Sequence, residues 1–410
     1  MTRSQKQGER DIKRIYHFLS SEAGNYYIIN GLTALSYALI IPILSIFLID
    51  GLGFEPIYIG IYTVAYTVSG IYITQKFGAL ADKGVDHKVL FIIALMGIVC
   101  AAMSYAFLTA FWQILIAGTL FMGVARASIP MILIMVRHFA ESSATDPTQL
   151  NAQIRSSVSF IWILGPPLAF LLVDKIGFEF TFLMAACAGV FVALYAWGKL
   201  PQQEKASATK GESQALQNQA IPRVVYYLGA VLFLGNVANS NYITAMPLYL
   251  TNDLNLPVSF PGLLLGLTAA CEIPIMLMSA KWAKAIGTTK VLLLSFIAAM
   301  VFYISCTLIE SMLSFILIQI INGVFYGIFV GVGISLLQDK APNCIGKATA
   351  YYSNMMALGS MAGASLMGIV AQYFGYKEAL FISFGAILIA FIMLFFYELL
   401  MRKNQALQEA

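Results

Sequence analysis

Glu272 stands in the run Ala269-Ala-Cys-Glu-Ile-Pro274, a carboxylate deep inside an apolar stretch. A charge at the centre of a bilayer costs about 2.5–3.5 kcal/mol on insertion scales. A carboxylate kept there is expected to face an aqueous cavity. Three roles are open to it: loading and releasing a proton, binding a solute directly, or holding a static hydrogen bond between helices. Proton coupling is the preferred reading. Arg126, in Gly123-Val-Ala-Arg-Ala-Ser-Ile-Pro130, is the matching cation. Arginine keeps its charge and must find a carboxylate, a carbonyl or water. A cavity-facing role and a purely structural pairing both remain open for it.

Uncharged polar groups recur at helical spacing. Asn30, Thr33 and Tyr37 form one stripe, Asn236, Asn239 and Ser240 a second, and Gln319, Asn322 and Tyr326 a third. Residues three, four or seven apart share a helix face. Amides and hydroxyls suit a ligand that is itself a mesh of hydroxyls. They also serve as hydrogen bonds between helices, worth about 0.6 kcal/mol each on average. Tyr58, Tyr62, Tyr66 and Ser69 share another face, and Trp162 is the tryptophan placed mid-run. Aromatic faces stack on the C–H faces of sugar rings, and they also simply pack. His17, His87 and His138 lie at or beyond the ends of apolar runs. There is no phosphate-binding glycine loop, no Ser-His-Asp arrangement and no metal-ligand spacing, so no metal, cofactor or enzyme activity is expected.

The elements that must carry these residues follow from composition. Sixty per cent of the chain is hydrophobic and 11% is charged, against roughly 25% charged in a soluble domain. Apolar segments of about 20 residues cross a bilayer as helices. Twelve are present, near 27–49, 58–78, 88–108, 112–136, 153–173, 178–199, 224–250, 260–281, 290–309, 313–337, 345–374 and 378–400. The fold class is therefore an all-α membrane protein of twelve transmembrane spans. Of 24 Lys and Arg, 21 fall in segments on one side, two (Lys175 and Lys377) on the other, and Arg126 lies within span 4. Positive charge marks the cytoplasmic side, so both termini are expected in the cytoplasm. The net charge of +4 is explained by these loops and calls for no nucleic acid.

The polar segment between spans 6 and 7 has too few apolar residues to pack. The expected organisation is a cytoplasmic N-terminal segment 1–24, a six-helix half 25–200, a cytoplasmic linker 201–223, a second six-helix half 224–400, and a cytoplasmic tail 401–410. The halves read as repeats. Gly60 to Lys88 and Gly262 to Lys290 are both 28 residues, and Gly165 to Gly177 and Gly363 to Gly375 are both 12. Six-plus-six repeats about an axis along the membrane normal describe the major facilitator architecture.

Two short runs suggest gates. The loop after span 2 reads Gly78-Ala-Leu-Ala-Asp-Lys-Gly84, then Asp86-His-Lys88, and span 5 carries Trp162-Ile-Leu-Gly165-Pro166-Pro167. The loop resembles the major facilitator motif Gly-x-Leu-Ala-Asp-Arg/Lys-x-Gly-Arg-Arg/Lys, with a shifted register because Gly84 follows Lys83 directly. A carboxylate such as Asp82 at a helix end can latch to a neighbouring helix N-terminus and to basic side chains. Proline frees a carbonyl and bends a helix, and glycine admits a close neighbour. Asp82, Lys83, Gly165 and Pro166 are therefore the gating candidates.

Further runs narrow the resemblance: Pro42-Ile-Leu-Ser-Ile-Phe-Leu48, Pro56 with Ile59-Gly60 and Tyr62-Thr63, and Trp162 to Phe170. In the second half come Asn239 with Tyr242 and Met246-Pro247-Leu248, then Glu272-Ile-Pro274. Last is Asn322-Gly-Val-Phe followed by Gly327, Gly331, Gly333, Gln338-Asp339 and Pro342. In order and spacing they resemble the bacterial sugar efflux transporter family of the major facilitator superfamily. The resemblance implies proton-driven export of sugars or glycosides across the bacterial inner membrane; alternating access by a monomer is the expected mode of action. A multidrug or metabolite exporter is the alternative. The expected substrate-binding residues are Asn30, Tyr37, Tyr62, Tyr66, Trp162, Asn236, Asn239, Tyr242, Gln319, Asn322 and Tyr326. Glu272 and Arg126 are the expected proton-coupling pair.

Overall fold

The computed structural model describes residues 21–142, 147–201 and 220–409. The N-terminal 20 residues and most of the expected linker lie outside that range. The helices are α1 (Glu22–Ala38), α2 (Ile57–Asp82), α3 (His87–Phe107), α4 (Phe111–Arg126), α5 (Ser128–Ser142), α6 (Pro147–Lys199), α7 (Arg223–Leu248), α8 (Phe260–Ile286), α9 (Thr288–Leu308), α10 (Met312–Asp339), α11 (Ile345–Phe374) and α12 (Tyr376–Glu409). Ten helical stretches among the described residues are long and apolar enough to cross a membrane. One of them lies within α6, which breaks at Gly177 (φ 83°, ψ 173°) into two helices. α7 has the length, at 26 residues, but carries three asparagines.

Two expected spans prove discontinuous, and proline explains both. A proline at position i lacks the N–H that would bond the carbonyl of residue i−4. Pro42 thus leaves the carbonyl of Ala38 without its helical partner, and α1 ends at Ala38 before a tight turn at Ile41–Ile43. Pro130 does the same to Arg126, the last residue of α4, and the chain restarts as α5 at Ser128. At the other extreme, the segment expected as a tail continues α12 to Glu409.

Two compact units are present, and they do not follow chain order. The first comprises residues 1–41, 68–165 and 176–208, and the second 42–67, 166–175 and 209–410. In the first, α3 packs on α4 and α5. In the second, α7 packs on α11 and α12, α8 on α10, and α9 on both α10 and α12. The second unit also holds the segments 42–67 and 166–175, which seat on it closely. Gly60 lies against Ser365, and Gly262 against Phe170 and the Pro166 carbonyl.

Matched turns follow α1 and α7. Phe47–Gly51 and Tyr249–Asp253 are both π-helical. Leu52 N–H donates to Phe47 O (3.0 Å) and Phe54 N–H to Leu48 O (3.0 Å). Leu254 N–H donates to Tyr249 O (3.1 Å) and Leu256 N–H to Leu250 O (2.9 Å). Gly53 (φ 71°) and Asn255 (φ 53°) take the same left-handed place, where glycine meets no steric penalty and asparagine little. Asp50 and Asn252 are equivalent in this register, and Asn252 Nδ2 donates to Asp50 Oδ1 at 2.9 Å.

Candidate functional site

α8 and α10 approach closely because α10 presents Gly323, Gly327 and Gly331 to its neighbour. Gly323 lies against Cys271, Gly327 against the Glu272 carbonyl and Ile275, and Gly331 against Met276 and Ser279. A β-carbon on any of them would force the helices apart, so small residues set the spacing. Beside this seam the polar residues of α10 meet those of α8. Thr268 and Glu272 are four apart on α8, and Gln319, Asn322 and Tyr326 are three and seven apart on α10, so each set shares a face.

The contacts form one network. Thr268 Oγ1 donates to Gln319 Oε1 at 2.7 Å. Asn322 Nδ2 donates to Gln319 Oε1 (3.3 Å) and to Thr268 Oγ1 (3.4 Å). Gln319 Nε2 donates to the Tyr242 hydroxyl of α7 at 3.1 Å. Tyr242 is held between Phe302 (5.0 Å) and Tyr303 (5.7 Å) of α9. Gln319 is fully buried and Asn322 is 2% exposed. One acceptor is left over: among the described residues Asn322 Oδ1 is buried and has no hydrogen-bond partner, and the buried Tyr303 hydroxyl is in the same state. An unmade bond of this kind costs about 1–3 kcal/mol, which a ligand hydroxyl or a water can recover. Tyr326 completes the face, half-buried and within electrostatic range of Glu272 and Tyr352.

Other expected binding residues of this unit are engaged differently. Asn236 Nδ2 donates to Ser360 Oγ (2.8 Å) and to the Met356 carbonyl of α11. Asn239 is buried. Tyr62 and Tyr66 stack on each other at 6.2 Å, in the segment 42–67. In the first unit, Asn30 Nδ2 donates to Ser157 Oγ (3.3 Å), and the Tyr37 hydroxyl lies 3.4 Å from Ser128 Oγ at the α4–α5 break. Trp162 is half-buried on α6. Arg126 runs its aliphatic stem along Gly70 of α2. It belongs to the first unit and Glu272 to the second. Asp82 and Lys83 sit at the end of α2, where Lys83 N–H donates to Ala79 O (3.3 Å). Gly165 lies against Ala38, where α1 ends, and Pro166 follows it in α6.

Thr268 and Tyr303 are the residues sequence reasoning missed. The signal for Thr268 was its i, i+4 spacing to Glu272. Tyr303 lies in a run, Val301-Phe-Tyr-Ile304, with nothing to separate it from packing aromatics. Among the described residues no group of three or more His, Cys, Asp or Glu side chains is placed to hold a metal.

Comparisons with known proteins agree on one kind of protein. A family model described as Major Facilitator Superfamily matches residues 26–237 and 228–409. The chain is 29% identical over 379 residues to sugar efflux transporter C of Escherichia coli (strain K12), covering 92% of this chain and 96% of that relative. It is 29% identical over 361 residues to sugar efflux transporter A of Dickeya chrysanthemi, covering 87% and 91%. In structure it resembles nucleoside transporter NupG with a TM-score of 0.77 at 14% identity, over 92% of this chain and 98% of that one.

Proposed function

The chain belongs to the Major Facilitator Superfamily, and from that premise we propose that it is a twelve-span secondary transporter that exports sugars or glycosides in exchange for protons. It is a membrane transporter and not an enzyme. Twelve spans follow when α4 and α5 count as one interrupted span, α6 as two, and α7 as one. The names of the relatives supply the cargo class. The observation that carries it is the α7–α8–α10 network, whose neutral amides and hydroxyls are ordered by one another while Asn322 keeps a buried acceptor unused. A sugar hydroxyl is the matching donor. A cationic drug would call for carboxylates and aromatic faces in its place.

Glu272 is the proton carrier in this reading. It shares a face with Thr268, so its protonation and the occupancy of the network are felt by the same pair of helices. Arg126 is the fixed cation of the first unit. Each proton moving inward with the membrane potential releases about 2.3 kcal/mol per 100 mV. That energy reaches the cargo only if a titrating group links proton occupancy to alternating access. Asp82 with Lys83, and Gly165 with Pro166, are the gating elements. In this reading the protein is a monomer in a bacterial inner membrane with both termini in the cytoplasm; the charge distribution supports the orientation.

Glu272→Gln tests the coupling. It keeps the shape and most of the hydrogen bonding but cannot release a proton. Gradient-driven accumulation and sugar counterflow are measured on the same proteoliposomes. Accumulation is expected to vanish while counterflow persists. Wild-type accumulation in the variant would remove Glu272 from coupling. Loss of both activities with loss of binding would place it in the substrate site.

A further inference from the structure

We propose that the corner between the start of α9, the end of α10 and the last turns of α12 is a binding site for a phosphate group. The inference comes from comparing this corner with its counterpart in the other half, and it stands apart from the cargo reading. Lys88 and Lys290 hold the same place in the repeat, 28 residues after Gly60 and Gly262.

In the first half the corner is complete in itself. Asp86 caps α3, its carboxylate accepting from Lys88 N–H at 2.8 Å. The Lys88 ammonium is buried, donates to the Leu200 carbonyl at 2.6 Å, and lies 5.6 Å from the Trp197 ring centre. The helix N-terminus has its anion and the cation has its acceptor.

The second half keeps the cation and loses both answers to it. α9 starts at Thr288 after Gly287 with no side-chain cap. α12 continues as helix to Glu409, so no free terminal carbonyl stands where Leu200 does. What lies there instead is a cavity of about 210 Å³ lined by Lys290, Lys340, Arg402, Tyr397 and the first residues of α9. The Tyr397 hydroxyl is buried without a hydrogen-bond partner among the described residues. Glu398 also lines the cavity and pairs with Arg402 at 3.1 Å, which leaves the lining with two uncompensated positive charges.

Ammonium, guanidinium, phenol and uncapped backbone N–H groups are all donors. They suit an anion with several acceptor oxygens, and a helix N-terminus adds to that preference. A carboxylate offers two coplanar oxygens, whereas a phosphate holds four in a tetrahedron, two of them free in a diester, toward groups arriving from three helices. Ile286 and Met401 at the rim add apolar surface. The charge count puts this end of the helices at the cytoplasmic face, where anionic headgroups attract basic residues. The phosphate can come from a lipid headgroup or from a free phosphate, and the chemistry of the corner is common to both.

The test uses the full-length protein, delipidated in neutral detergent. Binding of dioleoyl phosphatidylglycerol is titrated by native mass spectrometry, with and without millimolar inorganic phosphate. Wild type is expected to bind the lipid at least tenfold more tightly than Lys290→Gln/Arg402→Gln, which removes two charged donors from the corner. Displacement of the lipid by inorganic phosphate identifies a soluble phosphate as sufficient, and retention identifies the headgroup; both support the site. Should the double variant fold poorly, Tyr397→Phe and Lys290→Gln are titrated singly, each with an expected loss of about threefold or more. Equal binding of lipid and of phosphate by wild type and variants overturns the proposal.

Discussion

Two seams of the second unit use the same residue types for different ends. At the α7–α11 seam, Asn236 gives its amide to Met356 O and Ser360 Oγ, and the Ser240 hydroxyl donates to Ser360 O at 2.8 Å. The acceptors are mostly backbone carbonyls, which every helix offers, and the bonds fix one helix on the next. At the α7–α8–α10 seam the bonds between helices run from side chain to side chain, among Tyr242, Thr268, Gln319 and Asn322, with Thr268 also in reach of Leu264 O on its own helix, and the chain of bonds ends in a buried oxygen with no donor among the described residues. A side chain bonded to a carbonyl has finished its work in the folded protein. A side chain held by other side chains and left one bond short is oriented for something else. Amide count alone does not separate the two seams; the identity of the partners does.

The largest effect is expected from Asn322→Ala. It removes the unused acceptor and two donations, and a sugar hydroxyl left without its partner costs about 1–3 kcal/mol. Sugar affinity, measured by isothermal titration on purified protein, should fall by tenfold or more with little change in melting temperature. Unchanged affinity would make both seams structural. Asn236→Ala should do the opposite. Interhelical bonds in membranes average about 0.6 kcal/mol and reach about 1.7, so a lower melting temperature is expected with sugar affinity intact. A large fall in affinity with normal stability would move Asn236 into the binding site and dissolve the contrast.

The helices were legible because lipid imposes length and apolarity on them. The limits expected for the eleventh span match α11, Ile345–Phe374. The interruptions after α1 and α4 were written in Pro42 and Pro130, but hydropathy averages over such breaks and reads one span. The twin turns after α1 and α7 were harder to see. FLIDGLGF and YLTNDLNL share a backbone path and only two identical residues, the leucines that follow each aromatic and each Gly51 or Asp253. For the site, the spacing of Gln319, Asn322 and Tyr326 placed them on one face, and the structure joins two of them. The same spacing suggested Asn236 as a binding residue, although its amide is turned to α11. Spacing tells which residues share a face, and only the packing of the neighbouring helix tells what that face meets.

The smallest predicted effect probes the link that spacing hid. Thr268 sits at the centre of the network, donating to Gln319 Oε1 and accepting from Asn322 Nδ2. It also lies one turn from Glu272. Thr268→Val keeps the volume and the β-branch and deletes only the hydroxyl, so α8 and α10 should stay at their glycine-set distance. Gln319 Oε1 would still accept from Asn322, and the direct loss is the two bonds that Thr268 makes to α10, about 0.6 kcal/mol each, or roughly sevenfold in sugar affinity. Thr268→Ser restores the hydroxyl without the methyl and should recover most of that loss. Recovery in Ser but not in Val ties the effect to the hydrogen bond. Equal weakening in both would tie it to packing of the methyl group, and the α7–α8–α10 seam would then differ from the α7–α11 seam in partners but not in purpose. Counterflow and accumulation read on the same variants add the functional half of the test. If Thr268 only orients the binding face, both should slow together, whereas accumulation failing first would mean that the hydroxyl also serves Glu272.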